Sequence, residues 1–146
     1  MKNDEIIKLF TLGFDCGQVV LLNFLEDFNL TREQALKLTS CFGGGSFKGK
    51  TCGAINGALV VLGLKYGHFN ENDFKSKEKI EEITKYFFLL FEEKYGFSEC
   101  KSLLKHDINN KEELKIILNE GLLFTLCPNI VKDSISFIKE IFKKYK

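Results

Sequence analysis

One proline, no tryptophan, two histidines and a formal net charge of +1 exclude several classes of protein for these 146 residues. The near-balance of charge leaves no electrostatic footprint for nucleic acid, so none is expected as a partner. No segment reaches the roughly eighteen consecutive apolar residues that a membrane helix needs, and the opening MKNDEIIKLF lacks the apolar run of a signal peptide. The expectation is a cytoplasmic protein without membrane insertion. Histidine is confined to His68 and His106, both beside loop residues, and no Ser-His-Asp arrangement can be built around them. There is no Cys-x-x-Cys pair, which excludes thioredoxin-like and zinc-ribbon templates, and no Cys-x-x-Cys-His for covalent haem.

What is present is apolar and helical in period. Hydrophobic residues make up 45% of the chain and fifteen are Phe, enough for one packed domain over residues 1–146. The expected fold is all-α, a compact single-domain helical bundle of about six to seven helices. Ile6, Ile7 and Phe10 mark a first helix, about Asp4 to Leu12. Asp15 is an N-cap for a second that carries Val19, Val20, Leu22 and Leu25 to about Phe28. Thr31-Arg32-Glu33-Gln34 is a capping box that opens a third. Ile80, Ile83, Phe87, Leu90 and Phe91 form the stripe of a long helix, about Lys77 to Lys94, stopped by Gly96. Ser98 can cap a short helix holding Cys100, Leu103 and Leu104, and Lys111 to Glu120 reads as another, ended by Gly121. The last helix is expected to start at Cys127-Pro128, with Pro at the favoured first position, and to run along Val131, Ile135, Ile138, Phe142 and Tyr145.

The centre of the chain is the stretch from Gly43 to Gly67, GGGSFKGKTCGAINGALVVLGLKYG. A glycine-rich loop feeds an apolar helix for which Thr51 is a plausible N-cap and Gly67 a C-cap. Gly53 and Gly57 are four apart on one face, so another backbone or a flat ligand can approach there. Gly43, Gly44 and Gly45, with Lys48 and Lys50 after them, could form an anion-binding nest and are candidate cofactor-binding residues together with Gly53 and Gly57. Read strictly, Gly44 to Thr51 satisfies the P-loop order. A P-loop follows a strand, however, and this one follows a helix, so a flexible or anion-binding loop that positions Cys52 is the expectation.

Placed on this map, Cys16, Cys52, Cys100 and Cys127 each fall at or near a helix start, whereas Cys41 falls at a helix end. Helix N-termini favour the thiolate, the form that attacks disulfides or binds metal, so Cys41 is the odd one out of five. Asp15, beside Cys16, could cap its helix or raise that thiol's pKa.

Cys52-Gly53-Ala54-Ile55-Asn56-Gly57, preceded by Phe42-Gly43-Gly44-Gly45 and followed by Leu62-Gly63-Leu64-Lys65-Tyr66-Gly67, resembles the redox-active proteins named for their C_GCAxxG_C_C pattern. Cys16 resembles the first cysteine of that pattern, Cys100 the third and Cys127 the fourth, and the likeness covers nearly the whole chain. Asp15 and Gly17 replace the usual Asn and Ala, and Lys105 stands where Gly is common. The resemblance implies redox chemistry at the cysteines and brings no substrate with it.

Two mechanisms are open at this point, and sequence cannot choose among the three pairings that four cysteines allow. In one, two thiols cycle between dithiol and disulfide with an unidentified redox partner, Cys52 attacking and a second cysteine resolving. In the other, Cys16, Cys52, Cys100 and Cys127 are the ligands of a zinc ion or an iron–sulfur cluster. A third reading makes the bundle a structural interaction module. The aromatic content leaves room for a homodimer.

Overall fold

The computed structural model describes residues 1–146. It is all-α, one domain of eight α-helices: α1 (Asn3–Thr11), α2 (Cys16–Leu22), α3 (Arg32–Leu38), α4 (Gly53–Tyr66), α5 (Phe74–Tyr95), α6 (Cys100–Leu104), α7 (Lys111–Asn119) and α8 (Leu122–Lys144). The eight match, segment for segment, the helices read from the sequence, the short α6 and α7 included, one more than the rounded figure of six to seven. No single helix is long and apolar enough to cross a membrane.

Helix α4 is the axis of the fold. It is apolar on every side, with Ala54, Ile55, Ala58, Val61 and Leu62 inaccessible to solvent, and α2, α5 and α8 pack around it. Its closest neighbour is α2, and glycine sets that distance. A Cβ built on Gly57 would lie 2.6 Å from the Gly17 carbonyl oxygen, and one built on Gly17 would lie 2.7 Å from that of Gly53. The two backbones therefore meet without intervening side chains, which is the close-packing alternative for Gly53 and Gly57.

Several helix ends follow their local signals. At α3, Gln34 N donates to Thr31 Oγ1 at 3.1 Å and Thr31 N donates to Gln34 Oε1 at 3.0 Å, the reciprocal pair of a capping box. Asp15 caps α2, where its backbone N–H donates to Gln18 Oε1 at 2.9 Å. Helix α5 starts earlier than the apolar stripe indicates, because Asp73 Oδ1 accepts from Ser76 N at 3.1 Å and captures Phe74 to Ser76 for the first turn. Helix α2 ends at Leu22 rather than near Phe28. Asn23 turns its side-chain amide back to the Val19 carbonyl at 2.8 Å, and the chain passes into a 3₁₀ turn at Glu26–Phe28 closed by left-handed Asn29.

Three boundaries differ in ways that bear on function. Helix α8 begins at Leu122, after Gly121 with φ 70°, so Pro128 lies inside it and Cys127 is not a cap. Proline has no N–H to give the Phe124 carbonyl, so one bond of the helical ladder is missing there. Thr51 is not the cap of α4; that position is Cys52. Thr51 instead forms an isolated antiparallel bridge with Glu99. Around the bridge, Cys52 N donates to the Ser98 carbonyl at 2.8 Å and Cys100 N to the Lys50 carbonyl at 2.7 Å. That pairing occupies Ser98, and Glu99 takes the cap position of α6.

Candidate functional site: four cysteines around one apolar cavity

Cys16, Cys52, Cys100 and Cys127 all line a single cavity of about 200 Å³. Each comes from a different helix: Cys16 is the first residue of α2, Cys52 the N-cap of α4, Cys100 the first residue of α6, and Cys127 lies in the second turn of α8. The contact of α2 with α4 brings Cys16 toward Cys52, and the bridge at Thr51 and Glu99 ties Cys52 to Cys100. Cys41 is exposed and outside the cavity.

The rest of the wall is mostly hydrocarbon, including Phe10, Phe14, Leu103, Leu104, Ile108 and Leu123, and Asp15 is its only carboxylate. These apolar residues had a signal in the sequence. Leu103 and Leu104 follow Cys100 by three and four positions, and Leu123, Cys127 and Ile130 recur at four and three, so each set shares one helix face with its thiol.

All four thiols are free, and burial acts on three of them. Hydrogen bonding with the Cys127 thiol, followed by burial and the Asp15 charge, pushes the Cys16 thiol well up. Burial pushes Cys52 up to about 12, reinforced by Cys16, against the opposing pull of the Ala54 and Ile55 amides at the start of α4. Burial likewise pushes Cys100 up to about 12. The expectation that helix starts would favour thiolates is therefore corrected. The helix amides do act on Cys52 in the expected direction, but the loss of water outweighs them. Burial also raises the Asp15 carboxyl.

The glycine-rich loop packs beside this cavity and reaches it through Gly44. Gly44, Gly45, Ser46 and Phe47 have φ of 56°, 66°, 55° and 59°, four consecutive left-handed residues. Two of them are not glycine, and each such residue costs on the order of 1–2 kcal/mol. The turn leaves no room for side chains where it packs: a Cβ on Gly45 would lie 2.5 Å from the Lys50 backbone and 3.0 Å from Cys100 Cβ, and one on Gly43 would lie 2.6 Å from Asp15 Cγ. Gly44 faces the cavity, and its carbonyl accepts from Asn109 Nδ2 at 3.1 Å. Of the five candidate cofactor-binding glycines, only Gly44 and Gly53 reach the cavity, and Gly57 is filled by the backbone of Gly17. Lys48 and Lys50 are exposed, and neither lines it.

The tetrathiolate arrangement does not fit. No group of three or more His, Cys, Asp or Glu residues is gathered closely enough to hold a metal ion, although all four sulfurs border the same space. His106 lies off the cavity, with Nδ1 3.9 Å from Glu113 Oε1.

A family profile described as "Putative redox-active protein (C_GCAxxG_C_C)" matches residues 14–141. The chain belongs to this family. The matched span contains Asp15, all five cysteines and the glycine-rich loop, so the family pattern and the cavity coincide along the chain. No curated protein and no solved structure matches.

Proposed function

We propose that the protein is a cytoplasmic thiol redox protein in which Cys16 and Cys127 are the exchanging pair. The observation that carries this reading is the sorting of the cysteines: four from separate helices meet at one apolar cavity, and the fifth stays outside. Within that set, Cys127 is the neighbour that does most to raise the Cys16 thiol. Cys52, the attacking residue expected from its helix position, is buried, whereas Cys16 is half-buried and the more accessible of the two.

The reaction is a two-electron exchange. Cys16 loses its proton, and its sulfur attacks one sulfur of a partner disulfide, breaking the partner's S–S bond and releasing one thiolate. Cys127 then attacks the Cys16 sulfur, forming the protein disulfide and releasing the second thiolate. The two protons lost by the protein go to the two released sulfurs, so the partner is reduced to its dithiol or to two thiols. Because the Cys16 thiol is raised, only a small fraction of it is thiolate near neutral pH, and exchange accelerates as pH rises.

The test is oxidation of the native protein under mild conditions followed by peptide mapping of disulfides. A Cys16–Cys127 link, formed equally well in Cys41→Ser, is the expected result. A native protein that keeps all four cavity cysteines reduced while Cys41 reacts would overturn the proposal.

A further inference from the structure

The cavity also constrains what can be exchanged there, and this step rests on the thiol redox reading above. We infer that the substrate is a compact, uncharged organic disulfide of about the size of a five-membered dithiolane ring. The first support is volume. An apolar cavity of roughly 150 Å³ is known to hold benzene. At about 200 Å³ this one, open on one side, seats a ring of that size against the thiols. The second is polarity. Phe10, Phe14, Leu103, Ile108 and Leu123 line the cavity with the sulfurs, and the one hydroxyl on the wall, Thr11, already donates to the Ile7 carbonyl, so a charged substrate would lose its water with little compensation. The third is charge. Asp15 is the only ionic side chain on the wall, adjacent in sequence to Cys16, and no lysine or arginine lines the cavity to offset it. An anion approaching Cys16 therefore meets a like charge inside a low-dielectric space.

Atoms and electrons balance with the ring as oxidant. The Cys16 sulfur opens the ring S–S bond and leaves the substrate tethered as a mixed disulfide with one free ring sulfur. Cys127 displaces it, and the substrate departs as an open dithiol carrying the two protons and two electrons the protein has lost.

The experiment measures the rate of protein disulfide formation, by alkylation and intact mass, with three oxidised probes. They are 1,2-dithiolane-4-carboxamide, 1,2-dithiolane-4-carboxylate and oxidised glutathione, each normalised to its rate with the urea-unfolded protein. The carboxamide is expected to be favoured over the carboxylate by about tenfold, since a charge difference of 1.4 kcal/mol in the transition state gives that factor, and over oxidised glutathione by more. Asp15→Asn, which keeps an N-cap for α2, is expected to shrink the carboxamide-to-carboxylate ratio severalfold. Equal normalised rates for all three probes, or a ratio unmoved by Asp15→Asn, would overturn the substrate assignment while leaving the redox reading intact. Failure of every probe to form a cavity disulfide would overturn both.

Discussion

Gly57 offers the sharpest test of the packing that assembles the cavity. In Gly57→Ala the new methyl would lie 2.6 Å from the Gly17 oxygen, 2.7 Å from its Cα and 3.0 Å from its carbonyl carbon, all backbone atoms that no rotamer change can move aside. Relief requires α2 to back away from α4 by several tenths of an ångström, loosening the layer that includes Val19, Val20 and Ile55. Overpacking of this kind costs about 1–3 kcal/mol, and rigid backbone contact places it at the upper end. Alanine returns about 1 kcal/mol of helix propensity, so the net loss is about 2 kcal/mol. Gly63 provides the internal control, because it lies in the same helix and a Cβ there meets nothing within 4 Å. Gly63→Ala should gain about 1 kcal/mol from propensity alone. Urea unfolding of both variants, followed by circular dichroism, should give midpoints on opposite sides of the parent with unchanged slopes. Two midpoints shifted equally upward would refute the claim that glycine at 57 is required by the α2 contact.

Other outcomes follow from the same structure. Lys105 caps α6 with φ 62°, a left-handed conformation that glycine adopts freely, so Lys105→Gly should stabilise the fold by about 1 kcal/mol in the same urea assay. The Cys52 and Cys100 thiols are raised in the folded protein, so their contribution to stability is complete below the ordinary thiol value of 9.0 and is lost as pH rises toward about 12. The unfolding midpoint should accordingly fall across that range, and in a Cys52→Ala variant the fall should be smaller. Tyr95 donates its hydroxyl to Asp133, which also pairs with Lys94 at 2.8 Å, so Tyr95→Phe should lose about 1–2 kcal/mol. At pH 8, iodoacetamide should modify exposed Cys41 first, with Cys52 and Cys127 the slowest, as read by peptide mass.

The elements that the sequence disclosed are those whose signals are local. The Thr31 capping box and the stripe of α5 depend on residues three and four apart, and both appear where the pattern put them. The convergence of Cys16, Cys52, Cys100 and Cys127 was legible only as a shared setting, because the distances between them depend on tertiary contacts such as Gly17 against Gly53. Two misplacements have the same origin. Pro128 is a valid helix-start signal, but Gly121 offers an earlier start and Leu123, Cys127 and Ile130 border the cavity as one strip, so α8 continues through the proline. Thr51 and Ser98 are good capping residues drawn instead into the bridge between Thr51 and Glu99. The thiol chemistry was misjudged because helix position can be read in one dimension and burial cannot.

Cys16 and Cys127 belong to the two ends of the chain, 111 positions apart. A covalent bond between them would close a loop over most of the polypeptide, and in the chain-entropy account a loop of that length removes about 5 kcal/mol of freedom from the unfolded ensemble. The oxidised protein would then resist heat and proteolysis far better than the reduced one, and its cellular lifetime would record its recent redox history. Thermodynamic linkage runs the other way as well. The fold itself would hold the bond against reduction by on the order of 100 mV relative to the same two cysteines in an unfolded chain, so damage to the bundle would discharge the couple.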